Sequence, residues 1–153
     1  MGRKRAKEAF YRKWLKDIID AQGKNGWVPY TAPNLGGGGG YWWCNALPTV
    51  ALALYKFTGD KSLLQDSLQP SLALVGYYNS VHSGDYVIRK CCSPWLLGDW
   101  LAPDPIASNI PYVNTLAFYS AVSQTIEIAR FLSKIAIVEE MEELQKKIKN
   151  AIN

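Results

Sequence analysis

Leu35-Gly36-Gly37-Gly38-Gly39-Gly40-Tyr41-Trp42-Trp43-Cys44-Asn45 is the stretch on which the reading of this chain turns. Five glycines lead into three adjacent aromatics, and an apolar helical pattern starts directly after Asn45. Glycine costs backbone entropy and supplies no packing, so such a run is either slack or passes close to something. Flexible linkers do not usually end in Tyr-Trp-Trp. Two readings stand at this point: a loop that carries aromatics to a ligand, or a mobile loop whose tryptophans anchor the next helix in the core.

That next helix decides the fold class. Asn45 reads as its N-cap, and Pro48 is tolerated in a first turn. Ala46, Leu47 and Val50 through Tyr55 are apolar nearly all round, the signature of a helix buried on all sides. Upstream, residues 5–22 form a two-faced helix, with Phe10, Trp14, Leu15, Ile18 and Ile19 opposite Arg12, Lys13, Lys16, Asp17 and Asp20. Gly23 stops it, and an irregular segment runs from Lys24 to Cys44. Downstream, Thr58-Gly59-Asp60 sets a C-cap glycine against an N-cap aspartate. Residues 61–82 are helical again, with a kink expected near Pro70. A second long loop, Ser83 to Pro111, contains Trp95-Leu96-Leu97-Gly98-Asp99-Trp100. Residues 112–132 make another mostly apolar helix. After Ser133-Lys134 comes a last amphipathic one, with Ile137, Met141, Leu144, Ile148 and Ala151 on one face.

Covering helices thus alternate with buried ones, and both long loops enter N-terminal ends of buried helices. An all-α fold follows, with the arrangement of an α/α toroid or barrel in which inner helices line a cup and the loops at one rim build a site. At 153 residues the chain is one domain or a part of one. A short α-solenoid is the alternative, but no repeat of fixed period is visible and the loops are too long for one.

Composition excludes several classes. The 48% hydrophobic content suffices for a packed core, and 20% charged residues gives no disorder signal. The net charge of +4 sits mainly at the two ends of the chain, without a basic stripe, so nucleic acid is not an expected partner. No apolar run spans a membrane. Cys44, Cys91 and Cys92 form no disulfide framework, and with one histidine they make no zinc set; all three read as reduced thiols. No metal or cofactor is implied. The N-terminus lacks an apolar signal-peptide core, so localisation is unknown, and cytoplasmic if the chain is taken as it stands.

The rim residues Trp42, Trp43, Asp99 and Trp100 have the chemistry of a carbohydrate site. Indole faces stack on the apolar side of a pyranose, and a carboxylate accepts two neighbouring hydroxyl hydrogens. Against this, Asp99 also reads as a turn cap, and either Trp42 or Trp43 as a core anchor. His82 reads as structural or solvated. The glycine run lacks the ending of a phosphate loop. Glycoside hydrolysis needs two carboxyl groups facing across the bond, and no such pair can be assembled: the first loop has no Asp or Glu between Asp20 and Asp60.

Several motifs resemble bacterial α-L-rhamnosidases of glycoside hydrolase family 78. They are Asp17-Ile18-Ile19-Asp20-Ala21-Gln22, Gly26-Trp27-Val28-Pro29, Ala32-Pro33-Asn34, the glycine run with Tyr41-Trp42-Trp43, Ala53-Leu54-Tyr55 with Thr58-Gly59-Asp60, and Leu97-Gly98-Asp99-Trp100-Leu101-Ala102-Pro103. The resemblance implies an (α/α)6 barrel and inverting hydrolysis of terminal α-L-rhamnosides. It also implies that this chain is an internal piece: the family's general acid lies upstream of the matched region and its general base downstream. What carries over is sugar binding through the Tyr41-Trp42-Trp43 segment, Asp99 and Trp100. Family members commonly show Trp-Gly-Asp-Ala where this chain has Trp43-Cys44-Asn45-Ala46, a lost carboxylate that hints at altered specificity. The expectation is an inactive fragment of a glycoside hydrolase that holds an L-rhamnoside wall and self-associates through exposed inner-helix surface. A helical protein-interaction module is the alternative.

Overall fold

A computed structural model describes residues 2–33, 40–89 and 109–153. Among these residues the regular structure is all helix, with no strand: α1 (Gly2–Asp20), α2 (Tyr41–Cys44), α3 (Ala46–Thr58), α4 (Ser62–Ser80), α5 (Ile110–Phe131) and α6 (Ile135–Ile152). The five longer helices lie close to where apolar periodicity puts them. The four-residue α2 is an addition, too short to have a period of its own.

Cross-links between α3 and α5 fix how the layers lie. Asn45 Nδ2 donates to the Ala117 carbonyl at 2.8 Å, Gln124 Nε2 to Thr49 Oγ1 at 2.9 Å, and Lys56 Nζ pairs with Glu127 at 2.7 Å. Both sets of numbers rise together, so α3 and α5 run parallel, side by side. Helix α4 returns from α3 through a tight turn and packs on both α3 and α5; α6 packs on α5, and α1 on α3. The result is two parallel inner helices covered by three antiparallel outer ones, the hairpin alternation of an α/α toroid. The two long connections reach the inner helices at the same end, where Trp42 Nε1 donates to the Val113 carbonyl at 3.1 Å.

Local chemistry explains the turn between α3 and α4. Gly59 is left-handed (φ 76°) and its N–H reaches the Tyr55 carbonyl at 2.7 Å, a helix stop that a side chain would strain. Asp60 Oδ1 then accepts from the Ser62 amide at 3.0 Å and the Ser62 hydroxyl at 2.7 Å, starting α4. Helix α4 continues through Pro70, whose carbonyl takes a hydrogen bond from Gln22 Nε2 at 2.9 Å. The first connection is thereby pinned on α4. Gly26 (φ 89°) is the point of closest approach: a Cβ there would lie 2.0 Å from the Ala73 carbonyl oxygen.

The core has an aromatic centre. Tyr41, Tyr78 and Phe118 are fully buried and meet edge to face, with ring centroids 5.1 and 5.7 Å apart. A second cluster of Leu15, Ala51, Leu54, Leu64 and Ile128 fills the other end.

Two sequence expectations are corrected. Asn45 caps α3 with its backbone alone; its buried side chain reaches across to α5 and α4, because partners distant in sequence out-compete the local amide. Helix α3 is not covered all round. Thr49, Ala53, Lys56 and Phe57 form an open strip, since outer helices and α5 occupy only part of its circumference.

Candidate functional site

The open strip of α3 and the least buried side of α5 form one surface. Val113, Leu116, Ser120, Gln124 and Glu127 recur at helical spacing on α5 and are all partly exposed. Ser120, Gln124 and Glu127, with Thr49 and Lys56 from α3, make the polar part of this surface, a wall in which Gln124 is hydrogen-bonded to Thr49 and Lys56 is ion-paired with Glu127. Glu127 is the one carboxylate on either inner helix, and it is engaged. Sequence reading missed this polar line, although the spacing Ser120, Gln124, Glu127 within an otherwise apolar helix is its signal.

Trp42 stands at the rim end of this wall. The residue is 43% exposed while its Nε1–H is held by the Val113 carbonyl, which fixes the orientation of the ring. Trp43 goes the other way. It lines a cavity of about 180 Å³ with Trp14, Ile18, Val28, Tyr30 and Ala46, on the α1 side. The two adjacent tryptophans therefore serve different surfaces. Asp99 and Trp100 lie outside the described residues, as do the glycines 36–39, Cys91 and Cys92.

Beneath Trp42 sits a buried polar hub. The Tyr78 hydroxyl lies 2.6 Å from the Tyr41 carbonyl and 2.9 Å from Asn45 Oδ1, and donates its single proton to these two acceptors. Burial pushes the Tyr78 phenol well above its usual range, so it stays a neutral donor. The buried Cys44 thiol lies beside this hub. The hub joins the end of α2, the start of α3, α4 and α5, and so sets where Trp42 is held.

His82 closes the C-terminal end of α4. Its Nε2 lies 3.1 Å from Asn79 Oδ1, and its Nδ1 accepts from the amides of Gly84 (2.9 Å) and Tyr86 (3.2 Å). The structural reading of this histidine holds. Among the described residues no cluster of His, Cys, Asp and Glu could hold a metal ion, and no helix is long and apolar enough to cross a membrane.

An apolar groove of about 410 Å³ flanks the wall, lined by Tyr11, Val50, Ala53, Leu54 and Phe57, with Lys7 and Glu8 at its edge. Phe57 is 66% exposed and Phe10, nearby on α1, is 63% exposed.

Comparison with known proteins gives a consistent picture. Residues 4–153 match the family model of the bacterial alpha-L-rhamnosidase six-hairpin glycosidase domain. A curated alpha-L-rhamnosidase of Streptomyces avermitilis is 39% identical over 94 residues, covering 60% of this chain and 9% of that protein. The solved alpha-L-rhamnosidase from Dictyoglumus thermophilum superposes with a TM-score of 0.83 at 31% identity, covering 95% of this chain and 16% of that one. The Streptomyces avermitilis alpha-L-rhamnosidase complexed with L-rhamnose gives 0.78 at 29% identity, covering 94% and 13%. The chain thus spans only a small part, 9% to 16%, of the length of these relatives.

Proposed function

Since the chain belongs to the bacterial alpha-L-rhamnosidase six-hairpin glycosidase family, we propose that it supplies one wall of that domain's sugar-binding cup. Trp42 is the stacking surface for an L-rhamnosyl ring, and Asp99 with Trp100 completes the contact from the second rim segment. Trp43 serves to anchor α1. The observation that carries this reading is the fixed indole of the half-exposed Trp42 above the polar line of Thr49, Gln124 and the Lys56–Glu127 pair. An apolar ring face over hydroxyl-bonding side chains suits a pyranose.

The reaction this wall would serve is hydrolysis of terminal α-L-rhamnosides with inversion, which requires an acid and a base about 6.5–9.5 Å apart. In this reading, which rests on the family resemblance, the acid and base belong to other parts of a longer protein, and this chain alone is expected to be inactive. The groove along Tyr11, Ala53 and Phe57 supports a further part of the proposal. A toroid places inner helices on both flanks of α3, and only one flank is filled here, by α5. In isolation the open flank drives self-association. The same groove is what favours a second reading, a helical protein-interaction module.

The test is a tryptophan-fluorescence titration with L-rhamnose, with D-mannose and D-glucose as controls. Saturable, rhamnose-selective quenching that is lost in Trp42→Phe and Asp99→Ala but kept in Trp43→Phe is the expected result. A folded chain that ignores rhamnose, or one in which Trp43→Phe abolishes the signal and Trp42→Phe does not, would overturn the assignment.

A further inference from the structure

The connection that leads from α4 toward Asp99 and Trp100 begins with an unusual piece of backbone. Gly84 and Tyr86 both have positive φ, 92° and 61°, and for tyrosine that is a conformation of sparse occupancy that its surroundings must impose. What imposes it is the chain's single histidine. Nδ1 of His82 accepts both the Gly84 and the Tyr86 amide hydrogens, and both are donors only. Nδ1 must therefore carry a lone pair, which puts the ring proton on Nε2, where the Asn79 side-chain oxygen accepts it. The imidazole lies between two rings, 4.8 Å from Tyr86 and 6.3 Å from Phe118 of α5. Beyond the turn, the buried Ile88 donates its amide to Thr115 Oγ1 at 3.0 Å, so the whole turn is seated on α5.

We propose that His82 is a pH-operated lock: neutral, it holds the turn from Ser83 to Arg89 on α5, and protonated at Nδ1 it releases that turn. A proton on Nδ1 sets one N–H donor against two others and removes both acceptor contacts at once.

The surroundings decide the pH range. From the turn itself, Asp85 is the charged group that favours the imidazolium, and it is already engaged by Arg89. Asn79 of α4 and Phe118 of α5 carry no charge. On the α6 side, Glu140, Glu143 and Lys147 line the cavity that Asn79 and Tyr86 share, and Glu143 is paired with Lys146. Partial burial outweighs Asp85 and holds the imidazole below its usual 6.5. Release therefore belongs to acid pH, below that of a free histidine. Its consequence for sugar binding rests on the proposed pocket, because the released turn is the one from which the chain runs on to Asp99 and Trp100.

The lock can be tested without any sugar. The lone His82 gives unambiguous imidazole resonances in NMR. The expected spectrum at pH 7.5 is the Nε2–H tautomer with an acceptor-type Nδ1, titrating below 6.5. As pH falls through that titration, amide exchange at Gly84 and Tyr86 should rise at least about tenfold beyond its intrinsic pH dependence, with exchange in α3 unchanged. His82→Asn, which keeps an acceptor near the Nδ1 position and cannot titrate, should preserve Gly84 and Tyr86 protection at both ends of the pH range. His82→Ala should lose it at both. A protonated Nδ1 at neutral pH, a titration at or above 6.5, or exchange at Gly84 and Tyr86 that ignores the titration would each overturn the lock. A failed rhamnose titration would count against the pocket and leave these measurements to decide the lock.

Discussion

Replacing Tyr78 by Phe isolates the hub that holds the start of the inner wall. The change removes one oxygen from a fully buried ring and leaves the edge-to-face contacts with Tyr41 and Phe118 in place. What is lost is the shared proton to the Tyr41 carbonyl and Asn45 Oδ1. Both buried acceptors lose this donor, and breaking a buried hydrogen bond in this way costs roughly 1–3 kcal/mol. One proton served both, so the total should be about 2 kcal/mol, which for a domain of this size lowers Tm by roughly 4–8 °C. Urea unfolding followed by tryptophan fluorescence and by far-UV circular dichroism gives the number, with an unchanged m-value as the sign that the denatured state is unaltered. Asn45→Ala supplies the second arm of a double-mutant cycle. Since the two side chains touch, the cycle should show a coupling of about 1 kcal/mol. A loss below about 0.5 kcal/mol, or additivity with Asn45→Ala, would mean that the hub is incidental and that packing alone positions the α2–α3 junction.

Two further outcomes follow from the polar groups. Asn114 is wholly buried on α5, and neither its Oδ1 nor its Nδ2 has a partner among the described residues, so Asn114→Leu, of similar volume, should stabilise by about 1 kcal/mol in thermal unfolding. Destabilisation instead would reveal an internal water that satisfies the amide. Asp60 is held down to about 2, first by the Ser62 hydroxyl and then by Arg12 at 2.7 Å. Its folded-state pKa lies below the ordinary 3.8, so the stability it contributes is present above that pH and disappears as pH falls toward 2. The gap in Tm between the native chain and Asp60→Asn should accordingly close across that interval, and a constant gap would refute the linkage.

The helices were legible because their apolar residues keep a 3.6-residue period. The inner and outer roles followed from how many sides that pattern covers. Rim geometry was legible too, since loop length and helix order place both long connections at one end. What escaped is what depends on partners far along the chain. Asn45 has a strong local capping preference, yet Tyr78 and Ala117, 33 and 72 positions away, take its side chain. Trp42 and Trp43 are equivalent by composition; only the Val113 carbonyl and the cavity beside Trp14 set them apart. The open strip of α3 was hidden because Ala53, inside an apolar run, reads as a core residue whether or not another helix covers it.

The wall also constrains what binding can look like. A closed sugar pocket surrounds its ligand, and most of its affinity comes from burying the ligand surface. Here two inner helices offer one indole face and a short polar line whose members already bond to one another. Any hydroxyl that engages Gln124 competes with Thr49, and any that engages Glu127 competes with Lys56. The net gain per contact is then the small difference between two hydrogen bonds, about 0.5–1.5 kcal/mol at most. Adding a stacking contact of similar size leaves a total near that of a millimolar complex, about −4 kcal/mol. A titration that stops at micromolar rhamnose would therefore miss the wall. Submicromolar binding by the isolated chain would mean that a second wall is present, contributed by another copy across the open flank of α3.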